Sequence, residues 1–238
     1  MADQGALTTL RESLRDIADP IRAKSSQRFF KTDAGQYGEG DVFLGISVPE
    51  VRSFVRDTDV LNEAEVLTLV RSDFHEERML GLYALVRRFE RGDASTRQHV
   101  FDLYLANTRW INNWDLVDTT APNIVGEWLL DHDRAILCRL AASKVLWERR
   151  IAVLATLTFI RRRQFSDTLQ LVTRLLHDPH DLMHKACGWM LREIGKRDLA
   201  GLRSFLARHA AQMPRTMLRY AIERLGAEER NAWLQRRS

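Results

Sequence analysis

ERMLGLYALVRRF, residues 77–89, decides the fold class. Its apolar positions include Met79, Leu82, Val86 and Phe89, with Leu80, Tyr83 and Leu85 beside them. Steps of three and four residues line up on one face of a helix, whereas a strand would alternate at every second residue. LTTLRESLRDIA (7–18), PEVRSFVRD (49–57) and TLQLVTRLL (168–176) repeat the spacing, and no convincing series of alternating strands occurs. Pro20, Pro49, Pro122, Pro179 and Pro214 each open a helical pattern, where a missing N–H costs least. The expected class is all-α.

The helical segments also resemble one another. ERMLGLYAL at Arg78, NWDLVDTTAP at Trp114, ERRIAVLATL at Arg150, HKACGWML at Lys185 and MLRYAIERL at Arg219 fall into register, with steps of 36, 36, 35 and 34 residues. Such a period predicts helix pairs stacked as an α-solenoid of HEAT or armadillo type, with equivalent residues on one concave wall. A single domain over residues 1–238 is expected. Four of the five anchors are cationic, which suits a groove for a phosphate backbone.

Composition narrows the partners. The formal net charge is +4. Residues 134–238 hold 21 Lys and Arg against 9 Asp and Glu, and residues 1–133 hold 15 against 23. A basic, Arg-rich half predicts a polyanion, nucleic acid first, because guanidinium matches phosphate in a planar two-point geometry. No apolar run approaches the ~18 residues of a membrane span. MADQGALTT lacks the basic start and apolar stretch of a signal peptide. Cys138 and Cys187 both read as buried, reduced thiols, so the expected setting is the cytosol.

The chemistry concentrates in NNWDLVD, where Trp114 and Asp118 lie four residues apart and so share a helix face. WERR ends at Arg150, and CGWMLRE carries Trp189. Indole faces attract cations, and a carboxylate adds full negative charge and can orient a water. Together they would stabilise an oxocarbenium-like sugar as its bond to a leaving base breaks. A base made cationic by alkylation leaves as a neutral molecule, so one carboxylate would suffice where ordinary glycosidases use two. Taken singly, each tryptophan also fits a helical core, Asp115 and Asp118 also fit a helix start, and Arg150 also fits a solvated face.

The chain resembles the AlkD-like family of DNA alkylation repair proteins, which are HEAT-like-repeat DNA glycosylases. DPIRAKSSQRFFK, VFLGISVPEVR, HEERMLGLYAL, NNWDLVD, WERRIAVL and HKACGWMLRE occur in family order over nearly the whole length. The resemblance implies an all-α solenoid whose concave surface holds duplex DNA. It also implies excision of positively charged N3- and N7-alkylated purines, such as 3-methyladenine and 7-methylguanine. It makes Asp118 the catalytic carboxylate, sets Trp114 and Trp189 against the lesion deoxyribose, and gives Arg150 a backbone phosphate. PIRAKSSQRFFK would be the helix that enters the minor groove, which a branch of inactive paralogues lacks. Phe29 then stands where active members offer a phenol, with Arg22, Lys24, Arg28 and Lys31 as basic companions. The AGQYGEGDV that follows is longer than the family's link and reads as a flexible loop with Tyr37 at its tip.

The expected DNA contacts are therefore Arg150, Phe29, Arg28, Lys31, Arg78, Lys185 and Arg219. No cofactor or metal is expected: His180 and His184 stand four apart but lack the central glutamate of a zinc motif. The protein is expected to act as a monomer on alkylated duplex DNA in the cytoplasm, at the nucleoid. Two other readings remain open: a non-catalytic repeat protein that binds branched or damaged DNA, and a protein-binding solenoid.

Overall fold

Helix starts in this chain are written in its polar residues. Asp19 accepts hydrogen bonds from the backbone N–H groups of Ile21 and Arg22, ahead of Pro20 at the first helical position. Asn62 and Glu65 bond each other's backbone N–H in a capping box. The computed structural model describes residues 4–235. Among them are fourteen α-helices and no strand, apart from one isolated bridge between Val42 and Phe74. They form two compact units that meet in sequence between Leu116 and Val117.

The first unit holds α1 (Gln4–Asp16), α2 (Pro20–Phe29), α3 (Val48–Ser53), α4 (Glu63–Val70), α5 (His75–Arg91) and α6 (Ala94–Ala106). The segment read first is α5, which is buried along most of its length between α4 and α6. Its opening turn is unusual, because His75, Glu76, Glu77 and Arg78 are all buried. Buried charge requires partners, and each has them. Glu76 accepts from the backbone N–H of Leu44, Gly45 and Ile46 at 2.8–3.2 Å. Glu77 takes Arg11 and Ser72, both at 2.8 Å. Gly45 has φ +81°, and a Cβ there would lie 2.1 Å from the Asp19 carbonyl oxygen. Asp19 N–H in turn donates to Leu44 O at 2.9 Å. Glu76 thus fixes the loop, and the loop fixes the base of α2.

Helix α7 (Trp114–Ala121) begins in the first unit and continues into the second. Pro122 does not open a new helix; it follows α7 directly and starts a π-helical turn, Pro122–Gly126. Proline has no N–H to continue the ladder, and the turn widens. The second unit goes on through α8 (Ala135–Ala141), α9 (Leu146–Arg161), α10 (Ser166–Arg174), α11 (Asp181–Gly195), α12 (Leu199–His209), α13 (Arg215–Ile222) and α14 (Ala227–Gln235). Helix α9 is its core, with Ile151, Leu154, Phe159 and Ile160 fully buried. Each such side chain contributes roughly 1.5–3 kcal/mol by burial, so Phe159→Ala would cost about 3–5 kcal/mol.

Two further readings need correction. Trp114 is the first residue of its helix, whereas Arg78, Arg150, Lys185 and Arg219 are each the fourth or fifth of theirs. Asp118, not Trp114, is the positional counterpart of those cations. The slip is one helical turn, which leaves the apolar pattern in phase. Cys187 is buried, and burial pushes its thiol up to about 12, but Cys138 is exposed. Helix α8 turns Leu137, Leu140 and Ala141 inward, and Cys138 lies off that face.

Candidate nucleic-acid interface and catalytic carboxylate

In the second unit, Asp118 and Arg150 form a two-point ion pair. Nε and Nη2 of Arg150 donate to Oδ1 and Oδ2 of Asp118, both at 2.8 Å, and Nη1 donates to the Leu182 carbonyl at 2.7 Å. The side chains are 5% and 14% exposed, so the carboxylate keeps a narrow solvent face. Three of the guanidinium's five N–H groups are used in these bonds, and two remain for a further acceptor. The π turn helps to set this geometry. Thr158 Oγ1 on α9 donates to the Pro122 carbonyl at 2.8 Å, and a Cβ on Gly126 would come 2.4 Å from Ala155 O. The chain that carries Asp118 therefore lies tight against the helix that carries Arg150.

Trp189, on α11, is half-buried. Its Nε1–H donates to Glu193 Oε1 at 3.3 Å. Glu193 also accepts from Lys196 and, at 3.2 Å, from Arg197. Burial opposes its charge, but these donors hold the carboxyl below the usual range. Arg192, three residues after Trp189 and so on its face, pairs with Glu223 and was passed over in the sequence. Lys185 pairs with Asp181 at 3.0 Å, and Arg219 is exposed on α13.

In the first unit, Trp114 joins a cluster of rings in which Phe30, Phe43 and His75 all touch one another. It stacks on Phe30 (5.3 Å between centroids, 21°), Phe30 stacks on Phe43 (5.1 Å, 18°), and Phe43 stacks on His75 (4.5 Å, 22°). Phe29 meets Trp114 edge to face at 6.0 Å. Helix α2 buries none of its residues, and Ile21 and Phe29 are 81% and 64% exposed. Arg28, Lys24 and Lys31 are exposed beside them. Arg22 is tied to Asp19 and Glu50. Arg78 is buried, with its guanidinium on Asp41 and on the carbonyls of Ser72 and Asp73. Tyr37 turns back, its hydroxyl donating to the Phe29 carbonyl at 3.3 Å. A cavity of about 620 Å³ lined by Arg11, Arg15, Arg71 and Glu77 includes none of the predicted site residues.

The sequence pattern of the family described as DNA alkylation repair enzyme matches residues 10–225. The chain belongs to that family. Among solved structures it is similar to a predicted DNA alkylation repair enzyme from Enterococcus faecalis, with a TM-score of 0.68 and 15% identity. That likeness covers 88% of this chain and 97% of the other, and at this identity it speaks for the shared all-α fold. No curated protein matches the chain. Among the described residues, no helix is long and apolar enough to cross a membrane. A role in the repair of alkylated DNA follows from the family.

Proposed function

We propose that this chain is a monofunctional DNA glycosylase that hydrolyses the N-glycosidic bond of cationic N3- and N7-alkylpurines in duplex DNA. The observation that carries this reading is the Asp118 carboxylate, fixed at both oxygens by Arg150 and left with a narrow open face. A carboxylate held at both oxygens by a guanidinium is fixed in place, which suits an electrostatic role toward a developing cation. Alkylated purines need no acid. When the C1′–N bond breaks, its electron pair neutralises the base, and the positive charge passes to the sugar. Asp118 stabilises that sugar cation and orients the water that adds to C1′, whose surplus proton passes to solvent.

Trp114 and Trp189 supply polarisable indole faces for the sugar. Arg150 has two N–H groups to spare, enough to take a backbone phosphate without releasing Asp118. The exposed ring of Phe29 and the free cations of α2 supply a second DNA contact, with Lys185 and Arg219 contributing charge from the other unit. Arg78 acts indirectly, through its hold on Asp41. No step needs a cofactor, a second copy of the chain or a membrane, which fits a monomer working on DNA in the cytoplasm.

Asp118→Asn is the test, on duplex DNA carrying one 7-methylguanine. The amide keeps the shape and removes the charge, so base release should stop while DNA binding persists. Equal release by wild type and variant would end the assignment of Asp118. Binding without release by the wild type would leave a non-catalytic protein of damaged or branched DNA.

A further inference from the structure

His75 takes no part in the chemistry proposed above, yet its ring lies between two buried carboxylates. Nδ1 is 3.1 Å from Asp41 Oδ2, and Nε2 is 2.8 Å from Asp115 Oδ2. All three side chains are at most 9% exposed. A neutral imidazole carries one N–H and would turn a lone pair on the other carboxylate. Only the imidazolium satisfies both, so the group is a buried cation. Arg78 is the second cation, on the other oxygen of Asp41. Asn112 and Asn113 complete Asp41 with amide N–H groups at 3.2 Å each. The charged groups facing His75 are thus Asp41 from the loop, Asp115 from α7 and Arg78 from its own helix, and the four charges cancel.

This cluster holds Trp114 by three routes. Asp115 is the next residue along α7, so a bond from His75 to Asp115 fixes the first turn on which Trp114 stands. Asn113, bonded to Asp41, accepts from the Trp114 backbone N–H at 2.9 Å. The His75 ring also packs against both Phe43, at 4.5 Å, and Phe30, at 5.2 Å, and Phe30 carries Trp114; a cation against the face of Phe43 adds attraction to that cluster. Phe30 caps the end of α2, so the same rings join that exposed helix to the tryptophan.

We propose that His75, clamped between Asp41 and Asp115, is a positioning residue that fixes the indole of Trp114 and the end of helix α2 for the reaction on DNA. The proposal rests on the glycosylase reading only for its last step; the hold on Trp114 is a property of the protein alone. Burial opposes the imidazolium, but Asp115 and Asp41 outweigh it and raise His75 from 6.5 to about 9. The clamp is therefore complete at neutral pH and opens as the pH passes about 9.

The test follows Trp114 by fluorescence. Each protein is compared with its own Trp114→Phe counterpart, so that the difference reports one of the six tryptophans. In His75→Gln the Trp114 emission should move to the red and its quenching by acrylamide should rise. Release of 7-methylguanine should slow by about 10- to 100-fold, as a small misplacement of a positioned group does, with DNA affinity changed far less. In the wild type, with no substitution at 75, the difference signal should titrate with a midpoint near 9. An unchanged Trp114 signal in folded His75→Gln, or a wild-type signal flat between about pH 7 and 10, would overturn the proposal. A wild type that releases no base, with Trp114 altered in His75→Gln and titrating in the wild type, would fault the glycosylase reading and uphold the clamp.

Discussion

Raising the pH should unfold this protein more easily through His75, and His75→Gln should remove that dependence. The folded chain raises the imidazole from 6.5 to about 9, against the pull of burial and by way of Asp115 and Asp41. At about 1.36 kcal/mol per pH unit, that displacement corresponds to about 3 kcal/mol. The folded value is the higher, so the folded state binds the proton more tightly. The contribution is complete below about pH 6.5, shrinks as the pH rises and is gone once it passes about 9. Asp41 works in the opposite sense: its carboxyl sits below 3.8, and its share is lost only as the pH falls through that lower range. A plateau is expected between the two. Domain stabilities run to roughly 5–15 kcal/mol, so 3 kcal/mol is a visible part of the total. Urea unfolding followed by far-ultraviolet circular dichroism, at about pH 6, 7, 8 and 9, measures it. The wild-type midpoint should fall across the series, and His75→Gln should start lower and stay level. Parallel profiles for the two proteins would show that His75 is not the paired cation the geometry requires.

Arg150→Ala should cost about 2–4 kcal/mol in thermal or urea unfolding, because Asp118 loses a nearly buried partner. The same change should flatten the salt dependence of DNA binding by about one phosphate's worth. Gly45→Ala should destabilise the first unit by about 2 kcal/mol or more and weaken DNA binding, since the new methyl meets the Asp19 carbonyl where α2 begins. Thr158→Val should cost about 1 kcal/mol, leave the Pro122 carbonyl with the Glu127 N–H alone and slow base release through Asp118. Phe29→Ala should change stability by no more than about 0.5 kcal/mol, as its ring is mostly exposed, and should reduce affinity for duplex DNA in a binding titration.

Most of the helical frame can be read directly from spacing, because one face of each helix needs only apolar residues at the right period. Even the one-turn slip at Trp114 did no harm to that reading, since residues four apart share a face. The pairing of Asp118 with Arg150 was harder to see, because 32 residues separate them and each alone fits a solvated surface. Their roles came from the family pattern rather than from the residues. The support beneath Trp114 was not legible at all. Asp41 meets Asn112 and Asn113 across 71 and 72 residues, and Asp41 itself lies in a stretch that reads as a loose glycine-rich loop. In HEER, Arg78 reads as a cation on a DNA-facing wall, yet all four residues are buried.

That misreading has a physical cause that bears on function. Composition says what a side chain prefers alone, and a lone charge prefers water. A neutral set such as Asp41, His75, Arg78 and Asp115, each with hydrogen bonds, can be buried, but only where the fold assembles all four at once. Such a set is a costly way to fill space beside apolar packing, so its value here lies in geometry. It fixes α7's first turn and the stacked rings in one arrangement, and that arrangement carries Trp114. An apolar replacement of the whole set would test this: a variant as stable as the wild type, with Trp114 more open to acrylamide, would separate holding the tryptophan from holding the fold.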